Sequence, residues 1–255
     1  MKFTLWSVWH FLYILSPFVL FSVIYFCTRK ASEKTKRTVG IVMGVLSLIV
    51  IIARNVDIYV REGMGVEVIP FQVCHIGSII VGLALIFKKK WLLLTAFCFN
   101  MMPGFLSIVF ADSLVNYATL WAIRPQAYIW GHLLIVVGAL YGIFVYKSDF
   151  NRKDIIYSLG FVVIMLVVAV FSNNAFRLWF GWTPNYFYIY HYDGTPLAFL
   201  YNATPTSVYG WFSINWLYTL TLIAVFGLVY AGLYFLAKTT SKTNKKKRGV
   251  KDKTF

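Results

Sequence analysis

Four stretches of the chain carry no charged side chain at all: Phe11 to Cys27, Thr38 to Ala53, Trp91 to Ala111 and Ile155 to Phe176. Each approaches or exceeds the length that matters for a bilayer, since about 20 apolar residues in a helix cross roughly 30 Å of hydrocarbon. Backbone polar groups cannot stay unpaired in lipid, so such stretches are expected to be helices. The period-2 alternation of a membrane β-barrel is absent. Composition agrees, with 60 % hydrophobic and 13 % charged residues and a mean hydropathy of +0.71 over 255 residues. The formal charge of +15 would suggest a nucleic-acid partner in a soluble protein. Here the basic residues cluster between apolar runs, so no nucleic acid is expected.

The pattern gives an all-α polytopic membrane helix bundle of about seven spans, roughly 9–27, 38–54, 68–87, 91–111, 126–146, 155–173 and 213–237. Met102-Pro103-Gly104 is expected to kink the fourth span. No internal repeat of the transporter kind is apparent. Met1 to Trp9 lack a basic n-region and no small-residue cleavage site follows, so the first run reads as a retained span. Nineteen basic residues fall in alternate connections and the tail, and only Lys2, Arg54, Arg61, Arg124 and Arg177 on the opposite side. By the positive-inside rule the amino terminus is outside and the carboxyl terminus inside. Residues 1–237 then form a single polytopic domain, and 238–255 a basic cytoplasmic tail without fixed structure. The tail reads as ordinary positive-inside anchoring rather than as a ligand for anionic lipid or RNA. The outer connection 173–212 holds fourteen aromatic residues. It reads either as a passive interfacial belt or as a lid over a site.

Ionisable and polar residues inside a membrane are functional candidates by default. In this segmentation Cys74 and His75 lie about six residues below the outer end of the third span, and His132 six below that of the fifth. Both levels are roughly 9 Å into the membrane. A thiol and an imidazole at one depth are the minimum for a Cys–His nucleophile pair, the thiolate attacking an acyl carbonyl to give a thioester. The bland alternatives are a small buried hydrophobe for Cys74 and an interhelical hydrogen bond for His132. Arg54, Asn55, Asp57, Asn173, Asn174 and Arg177 collect towards the same face. Arg54 with Asp57 reads as a helix-end ion pair, and Asn173-Asn174 as a helix cap, unless the arginine holds a lipid phosphate and the amides donate to an oxyanion. Asn100, near mid-span, reads as interhelical glue. Cys74, His75 and His132 have no acidic neighbour in sequence to complete a metal site, and no P-loop, dinucleotide fingerprint or HExxH occurs, so no metal or cofactor is expected.

At these residues the chain resembles the YwaF-type bacterial membrane proteins, grouped with the eukaryotic transmembrane-protein-164 acyltransferases. The resemblance rests on Ile69-Pro70-Phe71-Gln72-Val73-Cys74-His75 and Tyr128-Ile129-Trp130-Gly131-His132. Asn173-Asn174, Thr183-Pro184-Asn185-Tyr186-Phe187-Tyr188 and Gly194-Thr195-Pro196-Leu197 also carry it, covering roughly residues 40–235. It implies a polytopic helical fold and acyl transfer between membrane lipids through a cysteine. That role maps onto Cys74, with His132 as the matching base and His75 the alternative, and with Asn185 and Tyr186 joining the binding residues. Bacterial members often carry histidine two residues before the cysteine, where this chain has Gln72. Acyl transfer is attributed to the eukaryotic members.

The expected function is therefore an integral membrane acyltransferase of the bacterial cytoplasmic membrane. It would move a fatty acyl group from a phospholipid donor to a lysolipid or a lipoprotein amine near the outer leaflet. The alternative is a transporter or lipid-binding protein that uses the same polar outer pocket.

Overall fold

The computed structural model describes residues 2–192 and 197–251, with side chains as far as Thr240. Seven long helices make up the fold: α1 (Val8–Thr28), α2 (Glu33–Glu62), α3 (Val73–Phe87), α4 (Lys90–Val109), α5 (Ile123–Phe144), α6 (Arg152–Phe180) and α7 (Trp216–Lys251). Between α6 and α7 lie a 3₁₀ turn at Tyr186–Tyr188, a helical turn at Ala198–Asn202 and a hairpin of β1 (Ser207–Tyr209) and β2 (Phe212–Ile214). Six of the seven helices, all but α3, are long and apolar enough to cross a membrane.

Helix ends follow caps rather than the limits of the apolar runs. The Ser32 hydroxyl accepts from the Thr35 N–H at 3.1 Å, and Gly63 ends α2 at φ 77°. The second helix therefore runs eight residues past the expected end at 54 and starts before 38, taking in the charged residues at both ends. Asn151 and Asp154 form a reciprocal capping box at the start of α6. Gly181, at φ 66°, ends that helix at residue 180 rather than 173. The third span was expected from 68, yet α3 begins only at Val73. Pro70 disfavours the helical region for the residue before it, so 68–72 enters as a non-helical lead-in of turns and bends. The last helix continues to Lys251, past the expected boundary at 237.

The kink expected at Met102-Pro103-Gly104 takes another form. Residues Ala96–Asn100 are π-helical, and regular α-helix resumes at Met101. Pro103 has no N–H to donate and its ring crowds the carbonyl four residues back, which widens the preceding turn.

Short as it is, α3 is the centre of the bundle, with ten of its fifteen residues buried. It packs against α2 where Gly44 meets Gly82. A Cβ at Gly44 would lie 2.7 Å from the Gly82 carbonyl oxygen, so only glycine permits this approach. The helices α1, α6 and α7 turn most of their apolar surface outward.

Hydrogen bonds fix the levels. At one end the Arg37 guanidinium donates to the carbonyls of Leu85, at 2.7 Å, and Ile86. At the other end Arg54 donates to the Glu67 carbonyl at 2.7 Å, and Asn55 to that of Val68 at 2.9 Å. Arg37 and Arg54 are seventeen residues apart on one helix, about 26 Å. With its lead-in, α3 thus covers the same depth as that part of α2. The connections 28–32 and 145–151 lie at the Arg37 end, where Tyr141 donates to the Lys36 carbonyl at 2.8 Å and Tyr146 to that of Leu85 at 3.2 Å.

Candidate functional site

Cys74 is the second residue of α3, in the turn where helix N–H groups have no intrahelical partner. The thiol thus sits on the first turn of α3. The thiol is half-buried, whereas Cys27 is exposed and Cys98 fully buried. Arg54 stands within electrostatic range of Cys74, His75 and His132 alike, and so ties the three to one region.

The two candidate bases are held differently. His132 is 5 % exposed, and its Nδ1 lies 2.7 Å from the Tyr128 carbonyl oxygen, one turn back on α5. A carbonyl only accepts, so Nδ1 carries the proton and, in the neutral ring, Nε2 presents its lone pair. Nε2 has no hydrogen-bond partner among the described residues. The Tyr128 ring packs on the imidazole with centroids 4.3 Å apart, and its hydroxyl donates to the Ser107 carbonyl at 2.6 Å. His75 is buried, its Nδ1 has no partner among the described residues, and it lies within electrostatic range of His132. Among the described residues no hydrogen bond joins the Cys74 sulfur to either imidazole. His10, by contrast, uses both nitrogens structurally. It accepts from the Trp6 N–H at 2.9 Å and donates to the Ile108 carbonyl at 3.0 Å.

The Arg54–Asp57 pair expected from sequence is not formed. Arg54 reaches to Glu67 in the lead-in to α3. Asp57 instead accepts from Arg61 at 2.8 Å and Arg124 at 3.2 Å, and Arg124 also pairs with Glu62 at 2.5 Å. Three arginines thus meet three carboxylates, and Asp57 fastens α2 to the start of α5.

The segment between α6 and α7 is folded over this region by asparagines. Asn173 and Asn174 do not cap a helix; both are buried inside α6. Asn173 grips the Tyr186 backbone on both sides, accepting its N–H at 2.8 Å and donating to its carbonyl at 3.0 Å. Asn174 accepts the Ser213 N–H at 2.7 Å and donates to the Val170 carbonyl at 3.0 Å. Asn185 accepts the N–H groups of Tyr190 and His191 and donates to the His191 carbonyl. Asn215 donates to the carbonyls of Tyr201 and Thr204, both at 3.0 Å. Arg177 lies over the Tyr190 ring and donates to Ser213 at 3.4 Å. The Tyr186 hydroxyl donates to the Val66 carbonyl at 3.1 Å, which joins this cap to the lead-in before Cys74. Phe187 and Tyr188 follow at φ 59° and 55°, left-handed backbone that costs energy in any residue but glycine. Phe187 stacks on Phe99, and Tyr218 donates to the Tyr188 carbonyl at 2.9 Å. Burial pushes the Tyr188 phenol up to about 12, and the nearby Cys74 and Glu67 add to the rise. Of the resembling motif Gly194-Thr195-Pro196-Leu197, the first three residues lie outside the described residues.

The sequence profile of the TMEM164 family matches residues 5–234, nine-tenths of the chain. The chain belongs to the TMEM164 family. No curated protein and no solved structure matches it. With six helices of spanning length and composition, this family member is an integral multi-pass membrane protein.

Within the TMEM164-family chain the geometry sorts the residues singled out from sequence. Cys74, His75, His132 and Arg54 come together near the start of α3. Asn173, Asn174, Asn185, Tyr186 and Arg177 build the cap, and Asp57 braces α2. In the sequence reading Tyr128 and Tyr188 stand only within motifs, without a role at the site, and Glu67 and Asn215 are not singled out. Tyr128 was legible in principle, since a residue four before His132 on a helix stacks beneath it. Tyr188 and Asn215 come in through the irregular cap, which no periodicity describes.

Proposed function

We propose that this TMEM164-family member is a lipid acyltransferase, with Cys74 as nucleophile and His132 as general base. The reading is supported by a cysteine at a helix N-terminus and, in the same region, a buried imidazole whose Nδ1 is tied to a carbonyl, leaving Nε2 free to accept. His132 takes the thiol proton and the Cys74 sulfur attacks the ester carbonyl of a phospholipid. The thioester forms as the glycerol oxygen leaves with that proton. A lysolipid hydroxyl or a lipoprotein amine then attacks the thioester, giving its proton back through His132 to the thiol. The absence of a hydrogen bond between thiol and imidazole among the described residues fits a resting site, because catalytic hydrogen bonds often tighten only with substrate bound.

A groove of about 510 Å³ on the outer flank of α2 and α3, lined by Leu48, Ile52, Val56, Pro70 and Ile79, suits an acyl chain and opens beside Asn55. We read the chain as crossing seven times, with α3 as the short buried crossing. The amino terminus is outside, the site lies towards the outer leaflet, and the membrane is the cytoplasmic membrane of a YwaF-type bacterium. The test is Cys74→Ala in proteoliposomes with radiolabelled phospholipid. Transfer to an added lysolipid should disappear while the protein still inserts and melts as before. Full transfer by the variant removes the cysteine from the mechanism. The groove equally favours a lipid-binding or transport role. That role predicts labelled lipid crossing the bilayer, with unchanged flux in Cys74→Ala.

A further inference from the structure

Asn100 is the residue at which the π-helical stretch of α4 ends, and such stretches re-aim side chains at functional sites. It is 1 % exposed, yet among the described residues neither Oδ1 nor Nδ2 has a hydrogen-bond partner. The interhelical glue expected of it is therefore absent. A buried amide with nothing to bond opposes folding, so its retention asks for another reason.

Its direction supplies one. A Cβ built on Gly77 would lie 3.3 Å from Asn100 Nδ2, so the amide faces α3 at a position without a side chain. Gly77 follows Cys74 by three residues, on the same face of the helix and about 5–6 Å away at the Cβ level. The amide is thus within about 9 Å of the Cys74 Cβ, on the side that runs deeper into the bundle. The asparagines of the cap are held by backbone groups, whereas this one is unengaged.

We propose that Asn100 Nδ2–H is a hydrogen-bond donor to the acyl carbonyl oxygen during thioester formation at Cys74. The inference rests on the acyltransferase reading above. As the sulfur bonds to the carbonyl carbon, the π pair of C=O moves to oxygen, and Asn100 donates to that oxyanion. When C=O reforms, the bond from carbon to the glycerol oxygen breaks, and that oxygen takes the proton His132 removed from the thiol.

The test compares two reagents on the full chain in detergent, in a Cys27→Ser background. A p-nitrophenyl acyl ester modifies Cys74 through a tetrahedral oxyanion, and iodoacetamide alkylates it without one. The rates are read on the Cys74 peptide by mass spectrometry. Asn100→Leu, close to isosteric, should lower the acylation rate about 100- to 1000-fold, as loss of an oxyanion donor does. Alkylation should stay within about twofold and Tm should not fall, because an unsatisfied buried amide has been replaced by an apolar group. Asn100→Ala, normalised to its own alkylation rate, gives the same ratio if the leucine variant fails to fold. Acylation at the wild-type rate overturns the role of Asn100 and leaves Cys74 as nucleophile. Equal slowing of both reactions makes Asn100 structural and also overturns it. Wild-type Cys74 that alkylates but never acylates overturns the acyltransferase reading, and this inference with it.

Discussion

Replacing Asn173 by alanine removes both hydrogen bonds that hold the Tyr186 backbone to α6, at 2.8 and 3.0 Å. Tyr186 is fully buried, so its N–H and carbonyl would be left without partners. Each such loss costs about 1–2 kcal/mol, or roughly 2–4 kcal/mol for the pair. At about 1.4 kcal/mol per factor of ten, opening of the cap becomes about 30- to 1000-fold more favourable. Two readouts follow opening directly. Hydrogen exchange of the amides in 182–192 should accelerate by that factor, while exchange in α3 stays unchanged. Alkylation of Cys74 by a bulky maleimide should accelerate in parallel, since the cap lies over the lead-in to α3. Thr240→Ala, which removes only an exposed hydroxyl bond to the Leu236 carbonyl, serves as the control. Unchanged exchange in 182–192 in Asn173→Ala would refute the assignment of Asn173 as the anchor of the cap. Faster exchange without faster alkylation would refute the idea that the cap controls access to the thiol.

Two further perturbations test the frame. Gly44→Leu puts a side chain where a single Cβ would already lie 2.7 Å from the Gly82 carbonyl. It should destabilise the α2–α3 pair by at least about 2–3 kcal/mol, seen as a lowered Tm in detergent. The phenols of Tyr186 and Tyr188 in the cap are both pushed up to about 12, chiefly by burial. Their neutral forms favour the folded cap fully below pH 10, and this contribution is lost as the pH rises from about 10 to about 12. Phenolate absorbance with Trp182 fluorescence should show the cap loosening in that window, with no Tyr188-linked transition between pH 6 and 9.

Hydropathy made the helices legible because a bilayer leaves few alternatives, and all seven expected spans correspond to helices. The ends were less legible. Ser32, Gly63, Asn151 and Gly181 set them through backbone geometry that averaging over apolar residues does not register. Pro70 did carry its signal, since it shortens α3 and so puts Cys74 at the helix N-terminus rather than two turns inside. Cys74, His75 and His132 were found as polar groups in apolar surroundings. The asparagines show the limit of that logic. Sequence marks Asn173 and Asn174 as amides near the outer face, but only the fold reveals that backbone groups occupy them while Asn100 stands free. The cap was visible as an aromatic segment. Its path depends on side-chain-to-backbone bonds from Asn173, Asn174, Asn185 and Asn215, which have no period to read.

The proposed chemistry passes through a covalent acyl-enzyme at Cys74. Incubation of the protein in proteoliposomes with isotope-labelled phospholipid, rapid acid quenching and mass spectrometry of the peptide holding Cys74 tests it most directly. The account predicts a hydroxylamine-sensitive acyl mass on Cys74, absent in Cys74→Ala and formed at least about 100-fold more slowly in His132→Ala. A wild-type peptide that stays unmodified while the protein still transfers acyl groups would contradict it.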